Sequence, residues 1–391
     1  MKESDSAIRA SRDDFFARRK WQRKQCPLCL EDYFTKQNLP NCGSYRCVAG
    51  YSFLDIPSPK SYLEIGECAE HFFKFFPAYG YESRMPISIV RNDERTLFAS
   101  TAGQIYDDLI YGNETLSDPL RCLNLQPVVR LQGADLVASL DGISTSFVHA
   151  ATECWNIQSE EHFITFDRWL DFFSKLGLYA GSLCLKIKLA DNNWSGSTIT
   201  SEMLKMNYGG LEIGVANFFF NIPQASGAMA TLSDIGVGIE RLTWAINKSP
   251  SYFDGIGPLS NVILHNRAVL DAIRTSTIMA GSGVVPEHKN QGSKLRAMIG
   301  LVTKGAQHLN LYELVCYYYR QWISLIALPV SRESTYSVIR REINRSLNLQ
   351  ANRSLGIDEP FEQDHEDFLR KAVQKRVITI AQLWDIKRRT I

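Results

Sequence analysis

Apolar residues along this chain change their period several times, and each change marks an element. In "SYLEIGECAEHFFKFFPAY" (61–79) they recur at helical spacing, so a helix is expected there. "HFITFDRWLDFFSKLG" (162–177) reads as a second amphipathic helix, with Gly177 placed to cap its C-terminus. Three short runs read as strands: "MPISIV" (85–90), "QPVVRL" (126–131) and "GGLEIGVANFFFN" (209–221). From about 262 onward the pattern is mostly helical. "LYELVCYYYRQWISLIAL" (311–328) is apolar nearly all round and reads as the core of a helical domain. The polar stretches near 330 and over 347–362 read as loops, and the charged residues 1–25 as an exposed helix or arm. Strands mixed irregularly with helices predict an α+β fold with an antiparallel sheet rather than a βαβ array.

Length and composition narrow the class. The 391 residues allow two or three domains. With 22% charged and 45% hydrophobic residues the chain has the composition of an ordinary soluble globular protein. It has no apolar run of membrane-spanning length and no leading segment of signal-peptide type. Together with nine scattered or paired cysteines, this predicts a cytoplasmic, reducing location and no membrane partner. The net charge of +1 conceals an asymmetry: residues 262–391 hold 19 Lys and Arg against 12 Asp and Glu, and the remainder is net acidic. A basic half suits a polyanion partner, and equally a solvated helical surface.

Two stretches carry candidate chemistry. Cys26, Cys29, Cys42 and Cys47 form C-x2-C-x12-C-x4-C, within a segment rich in Pro and Gly and too small for a core of its own. Two close pairs suit a tetrahedral thiolate site for structural Zn²⁺, with no ligand position left open. The alternative is four thiols packed as small hydrophobes. Cys68, Cys122, Cys154, Cys184 and Cys316 are expected to be buried and inert. In "SDIGVGIERLTWA" (233–245), Gly236 and Gly238 let a strand's backbone approach a ligand closely, and Arg241 then opens a helix. A guanidinium beside such a surface suits a phosphate-like oxyanion, although a Glu-Arg pair at a helix start also serves as a cap and salt bridge.

The order of segments resembles a known family. After the cysteine module come "YSFLDIP" (51–57), "IVRNDERTLFASTAGQ" (89–104), "QPVVRLQGADLV" (126–137) and "GGLEIGVANFFF" (209–220). "DIGVGIERLTWAINKSPSYFD" (234–254), "GVVPEHKNQGSKLR" (283–296) and "LWD" (383–385) follow. This series resembles the catalytic and tRNA-recognition region of archaeal-type alanyl-tRNA synthetases, in a divergent and truncated form. The resemblance implies a class II synthetase antiparallel sheet with flanking helices, followed by a helical domain that binds the tRNA acceptor stem. It divides the chain into 1–60 (arm and cysteine module), 61–258 (catalytic domain) and 259–391 (tRNA-binding domain). By resemblance, Arg130 and Arg241 are the phosphate-side arginines and Asp234 binds the amino acid's α-ammonium. Arg91, Phe147, Val215, Asn217, Gly236 and Gly238 line the substrate site, and His288, Lys294, Arg296 and Asp385 meet the tRNA.

Departures from the family's pattern bear on function. An Arg-His pair that reaches ATP is replaced by Gly142-Ile143, and a glutamate that contacts adenine by Val148. These losses make ATP a doubtful substrate, while Phe147 is kept for stacking on a purine ring. An asparagine that reads the acceptor stem is replaced by His288, and its partner aspartate survives as Asp385. By the same resemblance, no counterpart of the family's editing or oligomerisation domains is expected. The expected activity is therefore aminoacyl transfer from aminoacyl-tRNA to a small adenylate-like acceptor (an amine, sulfonamide or sulfamate), forming an amide in specialised metabolism. The alternatives are an ATP-dependent ligase that charges tRNA or a carrier, and a non-catalytic tRNA-binding paralogue. His149 is the one nearby candidate for a general base, or else a packed histidine.

Overall fold

Alternation of inward and outward side chains runs through "SFVHAATECW", "LEIGVANFFFNIP" and "MATLSDIGVG", and all three are strands. The computed structural model describes residues 5–91, 96–110, 113–116, 118–194, 197–258, 267–305, 309–355 and 364–390. Its strands are β1 (Gln22–Gln25), β2 (Asp32–Thr35), β3 (Glu82–Ser83), β4 (Leu120–Val129), β5 (Ser146–Trp155), β6 (Leu183–Trp194), β7 (Ser197–Tyr208), β8 (Leu211–Pro223) and β9 (Met229–Gly238). They form one nine-stranded sheet in the order β1-β2-β6-β7-β8-β9-β5-β4-β3. Pairing is antiparallel from β1 through to β5, and β3 lies parallel to β4 at the far edge. The fold is thus α+β as expected, with a sheet that is mixed at one edge.

By contact density the chain divides into two compact units. The first comprises Met1–Ile87, Thr101–Gln126 and Phe147–Ile256, the second Ser88–Ser100, Pro127–Ser146 and Gly257–Ile391. Helices of the first unit are α1 (Asp5–Arg18), α2 (Tyr45–Val48), α3 (Ile65–Phe75), α4 (Asp107–Ile110), α5 (Ser159–Lys175), α6 (Ile239–Asn247) and α7 (Phe253–Ile256). The second unit holds α8 (Arg267–Gly281), α9 (Asn290–Gly305), α10 (Leu311–Ile323), α11 (Arg332–Leu355), α12 (His365–Gln374) and α13 (Ile380–Thr390).

Helix α5 decides which sheet face is core. It buries Phe163, Phe166, Trp169 and Phe173, and two of its polar atoms bond to strands. Trp169 Nε1 donates to Thr152 Oγ1 at 2.8 Å, and His162 Nδ1 lies 2.7 Å from Ser233 Oγ. Full burial pushes the His162 imidazole down to about 3, so it packs as a neutral ring. Side chains two apart along a strand share a face. The face under α5 therefore takes Thr152, Cys154 and Ser233, and Glu153 and Asp234 belong to the other.

Three sequence readings are corrected. Of the two forms expected for the N-terminal segment the helix is found, as α1, but it is not simply exposed: it buries Ile8, Phe15 and Phe16, and the buried Arg12 guanidinium sits 2.6 Å from Glu202. "MPISIV" forms no strand; Val90 makes only an isolated bridge with Phe98. Pro86 lacks a donor there, and the Gln126 side chain takes the pairing role, accepting from Ile87 N and donating to Ile87 O at 2.9 and 3.1 Å. Residues 347–355 are helical, because Ala351 and Leu355 pack on Phe368, Leu369 and Ala372 of α12. The rest of that expected loop, 356–363, lies outside the described residues.

The β7–β8 turn also holds the cysteine segment. Gly210 has φ +99° and donates from its N–H to Gly43 O at 3.0 Å, and a Cβ there would lie 1.9 Å from Gly50 O. Gly210→Ala therefore meets backbone as well as a disfavoured conformation. It is expected to cost at least about 2 kcal/mol, read as a lower urea midpoint at unchanged slope.

Candidate functional sites

The opposite face of the sheet, in the first unit, gathers polar residues in one row. Asn217 on β8 pairs with Asp234 on β9, and Asp234 pairs with Glu153 on β5. Asn124 of β4 continues the row, with Nδ2 3.4 Å from both Glu153 oxygens. Glu153 is 0% exposed. Burial first, then the facing Asp234, pushes its carboxyl well above the ordinary carboxylate range. Sequence reading did not single out Glu153, Asn124 or Tyr106, because single polar letters inside strands give no sign of the register that joins them. Val215 stands one rung away, opposite Gly236 and Lys205.

Further along β9 the two glycines are covered by side chains of β5. A Cβ on Gly236 would lie 2.3 Å from His149 Nε2, and one on Gly238 would lie 3.6 Å from the Phe147 ring. Gly236 thus makes room for the His149 ring above it, whereas a side chain on Gly238 would meet Phe147 at ordinary contact distance. His149 Nδ1 accepts the Ala102 N–H at 3.0 Å, which leaves the proton of the neutral ring on Nε2. This tautomer offers a donor over Gly236 and not a basic nitrogen.

Glu240, 1% exposed at the start of α6, accepts the Val148 N–H with both carboxylate oxygens, at 3.1 and 3.0 Å. The acid sits in the first turn, where the helix dipole favours it, and pins β5 to α6. Arg241 donates to Glu212 O at 3.1 Å, and the Glu212 carboxylate pairs with Lys205 at 2.9 Å. Val148 is buried with its side chain on the α5 side of the sheet.

In the second unit, Arg130 follows β4. Its N–H donates to Thr145 O at 2.8 Å and its Nε to Ser100 O at 2.5 Å. Thr145 is in turn held by Asp271 of α8, which accepts its N–H at 2.8 Å and its hydroxyl at 2.5 Å. Burial pushes the Asp271 carboxyl up to about 6, against the pull of those two bonds. Arg274 bonds to Ser146 O, and Arg267 pairs with Asp141 at 2.6 Å. The loop 130–146 is therefore pinned to α8. Arg91 donates from its N–H to Leu97 O, and its carbonyl accepts from Gln291 Nε2 of α9 at 2.6 Å.

Helices α9 and α11 of this unit enclose an open groove of about 460 Å³. His288 and Arg296 meet there, with Arg296 Nη1 donating to His288 Nδ1 at 3.0 Å. Glu342 is clamped between Arg296, at 3.1 Å, and Arg345, at 2.6 Å, which fixes both guanidiniums. Arg353 and, in an adjoining hollow, Arg341 add exposed positive charge. Reading 347–362 as a loop hid Arg353, and sequence reading did not single out Arg341 or Arg345; the continuous helix Arg332–Leu355 carries all three along one element. Lys294 is exposed on α9, and Asp385 is exposed on α13, the helix whose Leu383 and Ile386 pack in the cluster that joins α12 to the end of α11.

The four thiols converge. Cys26, Cys29, Cys42 and Cys47 place their sulfurs within 4.8 Å of one another, and Cys29 Sγ lies 3.7 Å from Cys42 Sγ. A tetrahedral ion with sulfur ligands at about 2.3 Å needs sulfurs roughly 3.8 Å apart, so the cluster fits a metal ion. Burial works to raise the Cys26 thiol, but backbone hydrogen bonds at Cys29, Cys42 and Leu28 bring it down to about 6. Leu39, Tyr33 and Cys184 pack around the cluster, and β2 ties it to β6 (Phe34↔Leu185). The five other cysteines are buried as expected. Purified protein is expected to carry about one thiolate-preferring metal ion per chain. Elemental analysis should find it reduced in Cys29→Ser, with stability lowered by about 2 kcal/mol or more; metal-free protein with four titratable thiols would remove the assignment.

Comparison with known proteins places these features. No family model matches the chain. It is 26% identical over 261 residues to the alanine–tRNA ligase of Methanococcoides burtonii, a match covering 63% of this chain and 28% of that protein. The corresponding ligases of Halorubrum lacusprofundi and Sulfurisphaera tokodaii are also 26% identical, over 63% and 62% of this chain. The chain spans under a third of the length of these curated relatives. Among solved structures it is similar to a pyrrolysyl-tRNA synthetase from Desulfitobacterium hafniense, at 12% identity, TM-score 0.35, and 50% and 74% coverage of the two chains. Among the described residues no helix is long and apolar enough to cross a membrane. Over about 63% of its length the chain is thus similar, at 26% identity, to archaeal alanine–tRNA ligases.

Proposed function

We propose that this chain transfers an aminoacyl group from the 3′ end of an aminoacyl-tRNA to a small adenylate-like acceptor, and so forms an amide. One observation carries this reading. Arg130 is the only cation between 130 and 146, and its Nε is committed to Ser100 O. Holding a triphosphate for adenylate formation takes several cations on its oxygens. A donor that arrives as an ester is already activated and needs no triphosphate.

In this reading Asp234 takes the α-ammonium, with Asn217 and Val215 beside it, and Phe147 packs against the acceptor's ring. The acceptor nitrogen attacks the ester carbonyl carbon. A C–N bond forms, the C–O bond to the ribose breaks, and the proton lost by nitrogen ends on the released ribose hydroxyl. His149, as a donor at Nε2, suits the carbonyl oxygen on which charge develops better than it suits proton abstraction. Orientation supplies most of the rate, for which well-placed groups are worth about 7–11 kcal/mol. Structural Zn²⁺ is the ion that best suits four thiolates with no open position.

Alanyl-tRNA incubated with 5′-O-sulfamoyladenosine and no ATP is expected to yield an alanyl amide, and Asp234→Ala is expected to lower kcat/KM at least about tenfold. Product that appears only with free alanine and ATP, together with released pyrophosphate, would instead support an ATP-dependent ligase. The similarity to alanine–tRNA ligases favours that second reading. Tight tRNA binding without turnover in either assay would leave a binding protein.

The helical part from 259 onward is proposed to hold the tRNA, with the α9–α11 groove and His288, Lys294, Arg296 and Asp385 near the acceptor stem. Arg341→Ala with Arg353→Ala changes two exposed residues and is expected to leave folding intact. It should weaken tRNA binding and flatten the slope of log K against log salt by about 0.7–0.9 per lost phosphate contact. An unchanged slope would move the tRNA elsewhere.

A further inference from the structure

Helix α13 carries apolar residues with two different fates. Leu383 and Ile386 pack inward, in the cluster with Phe368, Leu369 and Ala372 of α12 and Ala351 of α11. Ile380 and Trp384, four residues apart and so on one face of the helix, are instead 63% and 57% exposed, and Val377 just before the helix is 42% exposed. Single exposed apolar residues are ordinary. Three within one short stretch, one of them an indole, make a strip with room for a partner. The support beneath it is ordered. His365 Nδ1 lies 2.6 Å from Asn348 Oδ1, and Asp364 pairs with Arg340 at 3.0 Å, both partners belonging to α11. Charge indicates what covers the strip. Residues 365–391 hold seven Lys and Arg against three Asp and Glu. Two of those acids, Glu366 and Asp367, lie in the first turn of α12, where the helix dipole favours them, and Asp367 pairs with Arg370 at 3.1 Å. Lys371, Lys375 and Arg376 are exposed on the way to α13. A protein partner would need an apolar surface rimmed with acids. A nucleic acid brings flat π-faces and negative charge in one molecule.

We infer that Trp384 is a stacking platform for an unpaired base of the bound RNA, with the neighbouring cations of α12 serving its phosphates. This rests on the tRNA-binding reading above and adds to it a contact with single-stranded RNA. Bases inside a duplex stack on one another and offer no free face, so an indole of this kind is covered by an unpaired nucleotide. Every base has a π-face, so the contact adds affinity without selecting sequence. Ile380, one turn before Trp384, extends the apolar surface beneath the base. The unpaired nucleotides of a tRNA lie at its 3′ end and in its loops, and the same chemistry serves either.

The test uses the full chain and three RNAs: an uncharged whole tRNA, the same tRNA trimmed of its unpaired 3′ nucleotides, and a blunt duplex of its acceptor-stem sequence. Binding is read by filter retention over a range of salt concentrations. Trp384→Ala is expected to weaken whole-tRNA binding at least about fivefold. The slope of log K against log salt should not change, because no phosphate contact is lost. Trp384→Phe, which keeps a π-face, should retain most of the affinity. The blunt duplex should bind wild type and Trp384→Ala alike. Trimmed tRNA locates the base: a variant effect lost on trimming supports stacking at the 3′ end, and one that persists supports stacking in a loop. Unchanged whole-tRNA affinity of Trp384→Ala, an equal loss on the blunt duplex, or no rescue by Trp384→Phe overturns this inference and leaves the tRNA reading standing. A self-association that Trp384→Ala abolishes without changing RNA affinity overturns it in favour of a contact between copies. Wild type that binds none of the three RNAs overturns both.

Discussion

Register among β8, β9 and β5 is the constraint on which the rest of this structure depends. A shift of one residue in any of these pairings would turn Asn217, Asp234 or Glu153 to the face packed by α5. A carboxylate placed there would lie among Trp169, Phe166 and Phe173 with no cation, at a cost of several kcal/mol. The apolar residues on the alternate positions hold the register from below. Cys154, Ser233 and Phe218 form the row beside Glu153, Asp234 and Asn217, and Phe218 packs against His162 at 5.2 Å.

Other features protect this arrangement. Glu240 closes the backbone of β5 at Val148, so the strand that carries Glu153, His149 and Phe147 is fixed at its start. Gly236 leaves room for the His149 ring of β5 to lie across β9. The Glu-Arg pair at this junction is thus engaged by the protein's own backbone, Glu240 by Val148 N–H and Arg241 by Glu212 O. In the second unit, Asp271 does for Thr145 what Glu240 does for Val148, and the buried hydroxyls of Ser146 and Thr275 complete the contact at 2.8 Å.

Charge is distributed with the same economy of partners. The groove between α9 and α11 keeps Arg296 and Arg345 in place by sharing one buried acid, Glu342. A guanidinium held by one edge still presents its other N–H groups outward, which is the form in which arginine recognises oxyanions. The sheet face of the first unit gathers acceptors instead, Asn217, Asp234 and Glu153 standing in one row.

Much of this was legible in the sequence. Spacing alone marked the four cysteines, since two close pairs constrain a tetrahedral site whatever the surrounding fold. Apolar period gave α3, α5, β8 and the β9–α6 junction, because each is a long element with one strongly apolar face. The ordered series of motifs carried the similarity to alanine–tRNA ligases. Local sequence could not show that Gln126 would stand in for a strand at Ile87, or that residues 347–355 would coil because α12 lies against them. Nor could it show that Glu153 faces Asp234, although 81 positions separate them along the chain. Pairing partners in a sheet are chosen by the summed burial of whole strands, and a polar residue inside one strand acquires its neighbours only when that sum has been settled.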